Sequence, residues 1–320
     1  MKQTYVNTRL ATAVFWIVLL VFSLVPVAFT VARGVPEGEA GSFVEPLQIV
    51  APATVSTVPL MELARQFPES YSLEFFTDHP QALARLIQGE VDLLATGFSV
   101  GFSRYQAAGD VVHLFTPVWG VSAIMTGEQV HSLRDISPPI ITAPFEGSPI
   151  DIFVRTIIEA EGLTGEIDVD YVPFPQAAAL LGQGSVGAAV LVEPIASRLE
   201  SAGNAYRLAN LHDRWAEITG GEPRSPQVSL FAMRPRAAAR AEAHSQMEAR
   251  LSKIIAELIA DPASFAAAHS AALDVPTAIL ERALENTLFS MPDHTTVVEL
   301  IAAYSLSMGL AEPESQLFEP

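Results

Sequence analysis

The chain is 320 residues long and half hydrophobic, enough for two ordinary domains or one large one with a substantial core. It contains no cysteine, which excludes structural disulfides, thiolate metal sites, cysteine nucleophiles and a lipid-modified N-terminal cysteine. Against 18 Lys and Arg stand 36 Asp and Glu, a formal charge of -18 that repels nucleic acid and anionic lipid, so no nucleic-acid partner is expected.

Residues 1–33 have the layout of a targeting segment. Lys2 and Arg9 precede an apolar run from Leu10 to Ala32 that Arg33 closes, the charged and hydrophobic regions of a secretory signal. The run is nearly long enough to span a bilayer. It is therefore expected either to be cut, after Ala32 or Ala40, or to stay as an N-terminal anchor helix. Either way the body lies in the periplasm or on the extracellular face of the cytoplasmic membrane. A linker rich in Gly, Glu and Pro, residues 34–46, follows.

Leu47 to Val50 reads as the first strand. A loop of small and hydroxyl residues leads to a helix near Pro59, with Ser56 or Thr57 as its cap. Tyr71 to Phe76 is a second strand. The stretch Pro80 to Asp92 then forms a unit: a Pro suited to a first helical turn, an Ala/Leu-rich helix, Gly89 as its stop, and an apolar strand from Val91 to Thr96. Gly97 to Gly101 and a helical stretch from Ser103 to Ala108 precede strands at Val111–Phe115 and Gly120–Met125. A turn-rich crossing, residues 127–139, leads to a strand at Ile140–Ala143 and a helix from Ser148 to Glu161 that Ser148 caps and Pro149 opens. After a strand at Asp168–Val172 the earlier unit returns as Pro175 to Gly187, with Gly184 as the stop and Val186–Val192 as the strand, ending on Glu193-Pro194. A strand within 225–233 comes back to the first half, and from Pro235 the pattern is helical. Two copies of a helix–Gly–strand unit, too few for a solenoid, point to two similar α/β lobes, 47–127 plus 225–320 and 128–224. A crevice between them is the expected ligand site.

Gly97-Phe98-Ser99-Val100-Gly101 also fits the nucleophile-elbow pattern, in which a tight strand-to-helix turn exposes a Ser. A secreted serine hydrolase using Ser99 would need an acid and a His, for which Asp274 and His294 are the convenient pair, and it lacks an HGGG-type oxyanion segment. The seven His residues form no HExxH or zinc pattern, and there is no EF-hand and no phosphate-binding GxxxxGK[ST] loop. No catalytic residue, metal or cofactor is assigned.

Three motifs in order carry a resemblance: Leu83 to Leu94 with its Gly89-Glu90-Val91-Asp92 turn, Ser132-Leu133-Arg134-Asp135-Ile136 before the second lobe, and Val190 to Pro194 with its Glu-Pro end. Over Leu47 to Ser201 the chain resembles the periplasmic substrate-binding proteins of ABC importers, in the branch serving nitrate, sulfonates, taurine and thiamine-precursor pyrimidines. It departs from them at Ser185 and Gly187, where acidic residues are usual, and in lacking an aromatic after the first strand. The resemblance implies an α/β, two-lobed, type II Venus-flytrap fold with a helical C-terminal region behind the N-terminal signal or anchor. It implies a monomeric, non-enzymatic protein that hands a small organic ligand to the transmembrane subunit of an ABC permease, although pyrimidine-precursor synthases share the fold. The implied cleft is lined by Thr54, Ser56 and Thr57; by Gly97, Phe98 and Ser99; by Trp119; by Phe145, Gly147 and Ser148; and by Glu193. Helix N-termini at Ser56/Thr57 and Ser148 would present N–H groups. Phe98, Trp119 and Phe145 would stack on a planar heterocycle, and Glu193 would accept from an amine or ring N–H. The shortage of basic residues in these loops argues against a strongly anionic ligand.

Overall fold

The computed structural model describes residues 45–319. The expected signal or anchor at 1–33, and all but the last two residues of the linker, lie outside the described residues. No helix among the described residues is long and apolar enough to cross a membrane.

The first half runs β1 (Leu47–Pro52), α1 (Val58–Gln66), β2 (Tyr71–Phe76), α2 (His79–Ile87), β3 (Leu93–Gly97), α3 (Phe98–Ala108) and β4 (Val111–Gly120). The middle runs β5 (Ser122–Thr126), β6 (Ile140–Ala143), α4 (Pro149–Ala160), β7 (Asp168–Tyr171), α5 (Phe174–Gly182), β8 (Ala188–Val192), α6 (Ile195–Ser201), β9 (Tyr206–Asn210) and α7 (Leu211–Thr219). The last part runs β10 (Val228–Met233), α8 (Arg234–Ala239), α9 (Ala241–Ala260), α10 (Pro262–Leu273), α11 (Thr277–Glu285), β11 (Leu288–Phe289) and α12 (His294–Ser307).

These strands form two sheets with one plan. The first has the order β11-β4-β10-β3-β1-β2 and the second β7-β6-β8-β5-β9. In each, three parallel strands are followed by an antiparallel one that arrives from the other half of the chain: β10 beside β3, and β5 beside β8. Ile49 pairs with Leu73 and Leu93 in the first sheet, and Ile141 with Val169 and Ala188 in the second. The repeated sequence units occupy equivalent places. Gly89 (φ +74) and Gly184 (φ +68) both take the left-handed conformation that ends a helix. The bonds around them also match, with Glu90 N donating to Arg85 O and Ser185 N to Leu180 O.

Local details depart from the sequence reading. The strand expected at Val111–Phe115 instead runs unbroken to Gly120 as β4, because Pro117 falls where the β4–β10 register shifts and its carbonyl accepts from Ser290 N. The expected strand 120–125 is instead split at Val121. Gly120 ends β4 in the first sheet and Ser122 opens β5 in the second, so the chain crosses here, upstream of the turn-rich 127–139. Residues 98–101 are not a loop but the first turn of α3, where Gly101 lets the helix press on Phe231. A Cβ there would stand 2.2 Å from the ring.

The first sheet is covered on one face by α1, α9, α10 and α11, and on the other by α3, α12 and the C-terminal turn at Ser315–Phe318. In the second sheet α4 and α7 cover one face, and α5 and α6 the other. Within the first of these cores His113 on β4 packs among the rings of Phe98, Phe231 and Phe318. Its Nε2 shares a 2.8 Å hydrogen bond with Thr116 Oγ1. Burial, helped by the charge of His294, pushes its pKa down to about 3.

Below pH 6.5 the unfolded chain therefore takes up a proton that folded His113 refuses, and stability falls as the pH falls. Between pH 7 and pH 5 this one residue should account for about 2 kcal/mol of lost stability. Urea midpoints at the two pH values should show that loss shrinking by about this amount in His113→Gln; an unchanged pH difference would refute the assignment.

Candidate functional site

Both crossings between the sheets meet at one place. Trp119 O, at the end of β4, accepts from Ser225 N (3.1 Å) and Ser225 Oγ (3.3 Å) on the returning segment. Gln227 N donates to Val118 O at 2.9 Å, and its own carbonyl takes Phe98 N at 3.3 Å. On the other side Val121 O accepts from Glu193 N at 2.9 Å, tying the outgoing crossing to the end of β8.

Against this junction lies a small cavity of about 10 Å³, room for about one water molecule. Its floor is Gly120 to Ser122 with Ser225 and Gln227; its walls are the first turns of α4 (Pro149, Phe153) and α7 (Leu211, His212). Two of the lining side chains are 5% exposed and hold buried polar atoms with no hydrogen-bond partner: Ser122 Oγ and His212 Nδ1. The imidazole lies directly over Gly120, whose notional Cβ would stand 2.2 Å from Nδ1. Burial pushes the His212 pKa down, and the Arg207 charge adds to this against the pull of Asp213, so the ring is neutral.

The residues expected from sequence fall into three groups. Gly97, Trp119, Ser148 and Glu193 are brought close to the junction, but mostly to build it. Trp119 is 0% exposed and its Nε1 donates to Ser290 O at 3.1 Å, so its ring is core rather than a cleft wall. Ser148 caps α4, its Oγ accepting from Asp151 N at 3.1 Å, as its position before Pro149 predicts. Glu193 is buried with both carboxylate oxygens taken, one by Arg207 Nη2 (2.6 Å) and one by Ser197 N (3.2 Å). Burial pushes its pKa up against the pull of these partners, and no oxygen is left for a ligand amine.

A second group lies elsewhere. Phe98 is buried and stacks on Phe102 at 5.3 Å, because residue 98 begins a helix that faces the sheet. Ser99, on the same turn, has no hydrogen bond to a His, and Asp274 and His294 sit at the end of α10 and the start of α12, so no hydrolase triad is assembled. Thr57 is buried and donates to Pro52 O at 2.6 Å, closing a 3-10 turn at Val55–Thr57 rather than capping α1. Ser56 is buried in that turn, and Thr54 precedes it half-buried. The third group faces water: Phe145 is 62% exposed, and Gly147 is exposed, its N–H held by Asp151 Oδ2.

Sequence reasoning missed Ser122, His212, Ser225 and Gln227. The signal for His212 is the run Asn210-Leu211-His212-Asp213, in which a strand passes directly into a helix and places a His in the first turn.

Beside the cavity a chain of rings joins helices of the two halves, α3 and α12 of the first to α4 and α7 of the second. Phe98 meets Tyr304 edge-on at 5.9 Å, Tyr304 meets Phe153 at 6.4 Å, and Phe153 stacks on Trp215 at 4.2 Å. Two polar contacts bridge the opposite side, Asn286 Nδ2 to Ser197 Oγ (3.4 Å) and Arg282 to Glu200 (3.9 Å). The structure is thus closed around a small, incompletely satisfied polar space.

No protein-family model and no curated protein matches the sequence. Solved structures do share the fold. The periplasmic aliphatic sulphonate-binding protein SsuA of Escherichia coli superposes with a TM-score of 0.65 at 20% identity, over 83% of this chain and 86% of that one. An ABC transporter protein of Parabacteroides distasonis gives 0.70 at 14% identity, over 86% and 99%. The MOPS-bound alkanesulfonate-binding protein of Xanthomonas axonopodis pv. citri gives 0.61 at 22% identity, over 84% and 95%. The described part of the chain has the periplasmic-binding-protein fold.

Gly120→Ala should destabilise the protein by about 1–3 kcal/mol through overpacking against His212. In a His212→Ala background the penalty should largely disappear. A double-mutant cycle by urea denaturation checks the pair, and an equal penalty in both backgrounds would show that the imidazole does not press on Gly120.

Proposed function

We propose that this chain is an extracytoplasmic solute-binding protein: it captures a small organic ligand between two lobes and delivers it to the membrane subunit of an ABC-type permease, with no turnover of its own. The first lobe is the first sheet with its helices, residues 47–121 and 225–319; the second is residues 122–224. Export is by the apolar segment Leu10–Ala32, which either is removed or anchors the body to the membrane. The protein works as a monomer.

The observation that carries this reading is the architecture: two sheets of one plan, joined among the described residues by two crossings that meet at one place. Fold neighbours that carry sulfonates in the same architecture support the reading. Opening would be a rotation about Val121 and residues 220–227, and would part Tyr304 from Phe153.

Scattering tests this. Ligand-free protein should be larger in solution than the closed structure, and should contract to it when saturated with a compound found by thermal shift among sulfonates, amides, amino acids and vitamins. A saturating compound that leaves the radius of gyration unchanged would defeat the proposal.

A further inference from the structure

Resting on that reading, we infer that the two lobes also close on each other with no solute between them, through an apolar latch in which Tyr304 of α12 seats against Phe153 of α4. Val297, Leu300 and Ile301 bury α12 in the first lobe. On that side the Tyr304 ring meets Phe98 at 5.9 Å, and across the gap it meets Phe153 at 6.4 Å, nearly perpendicular to both. Phe153 is itself stacked on Trp215 of α7 at 4.2 Å, so Tyr304 lands on a ring already held in place. Phe98, Tyr304, Phe153 and Trp215 are each at most 9% exposed and belong to one apolar cluster drawn from both lobes, so water is shut out of the seam. The Tyr304 hydroxyl makes no hydrogen bond among the described residues, and burial alone pushes its pKa up. The ring, not the hydroxyl, makes the contact.

The other contacts across the gap are weaker. Asn286 Nδ2 reaches Ser197 Oγ at 3.4 Å, and Arg282 reaches Glu200 at 3.9 Å in a partly exposed ion pair, a kind that contributes little in water. Edge-on aromatic rings gain more than their area burial alone, and opening about Val121 and residues 220–227 would wet both of them. The free space beside the crossings is about 10 Å³, too small for an organic solute, so in this closed form lobe meets lobe directly. The latch therefore opposes opening by itself, and a solute acts on an equilibrium that already includes the closed form.

The chain has no cysteine, so Gln106→Cys and Glu159→Cys, exposed positions near the far ends of α3 and α4, give a single pair of spin labels. Electron–electron double resonance on this labelled protein, with no solute added, should show the closed distance of the present structure beside an open one. Adding Tyr304→Ala or Phe153→Ala should cut the closed-to-open ratio about tenfold or more, while Tyr304→Phe preserves it. Sodium chloride at about 1 M, which screens the Arg282–Glu200 pair, should not lower the ratio. Absence of the closed distance before any truncation would overturn the latch, whether or not the Ala variants fold. A closed population that survives in both cooperatively melting Ala variants, or that collapses in salt, would overturn it too. If the latch fails in one of these ways while a compound still contracts the protein in scattering, the solute-binding reading stands. The closed distance alone in every variant would mean that the lobes do not part, and that reading would fail with the latch.

Discussion

Two hydrogen-bonded crossings hold this molecule's arrangement together. The chain leaves its first sheet at Gly120, enters the second at Ser122, and returns along Ser225 to Gln227, so that Trp119 O and Val121 O anchor the return segment and the end of β8 respectively. Because β5 and β10 are exchanged between the halves, neither sheet is complete without the other half's contribution. The same few residues must therefore close two sheets, carry the link between them and floor the cavity. This explains why a residue as small as Gly120 stands there: the imidazole of His212 occupies the space that a side chain would need.

Solvation decides the character of the site. The second half buries a carboxylate, Glu193, and offsets it in place with Arg207 and a backbone N–H. A partner removed from that arrangement would leave a buried charge, which is far more costly than an unmet neutral atom. The cavity wall carries only neutral orphans. The helix ends beside the cavity carry Asp151 and Asp213 in their first turns.

How far the sequence can be read depends on the distance between the residues that decide a feature. The helix stop at Gly89 and its echo at Gly184, the Ser148 cap and the Pro149 start depend on atoms within five positions of each other, and all are found where their local chemistry puts them. The strand expected to stop at Phe115 instead continues through Pro117 to Gly120, because a register shift with β10 absorbs the Pro. The family resemblance puts Phe98 and Trp119 in the cleft because each follows a strand expected to end there. Only their neighbours in space, Phe102, Tyr304 and Ser290, reveal them as core.

The amino-acid order by itself determined that the chain folds as two related α/β halves with a helical ending, since short-range periodicity and turn chemistry encode strands, helices and their repeat. It also determined the absence of thiol chemistry and the acidic body. Which side chains face the space between the halves was decided only by the tertiary structure. Ser122 opens β5 at the crossing between the sheets and His212 lies in the first turn of α7; they line one cavity because the sheet order brings β5 beside β9 and sets α7 across from Gly120. Nothing local to either residue marks it as unpaired; that property exists only once every other buried donor and acceptor has found its partner.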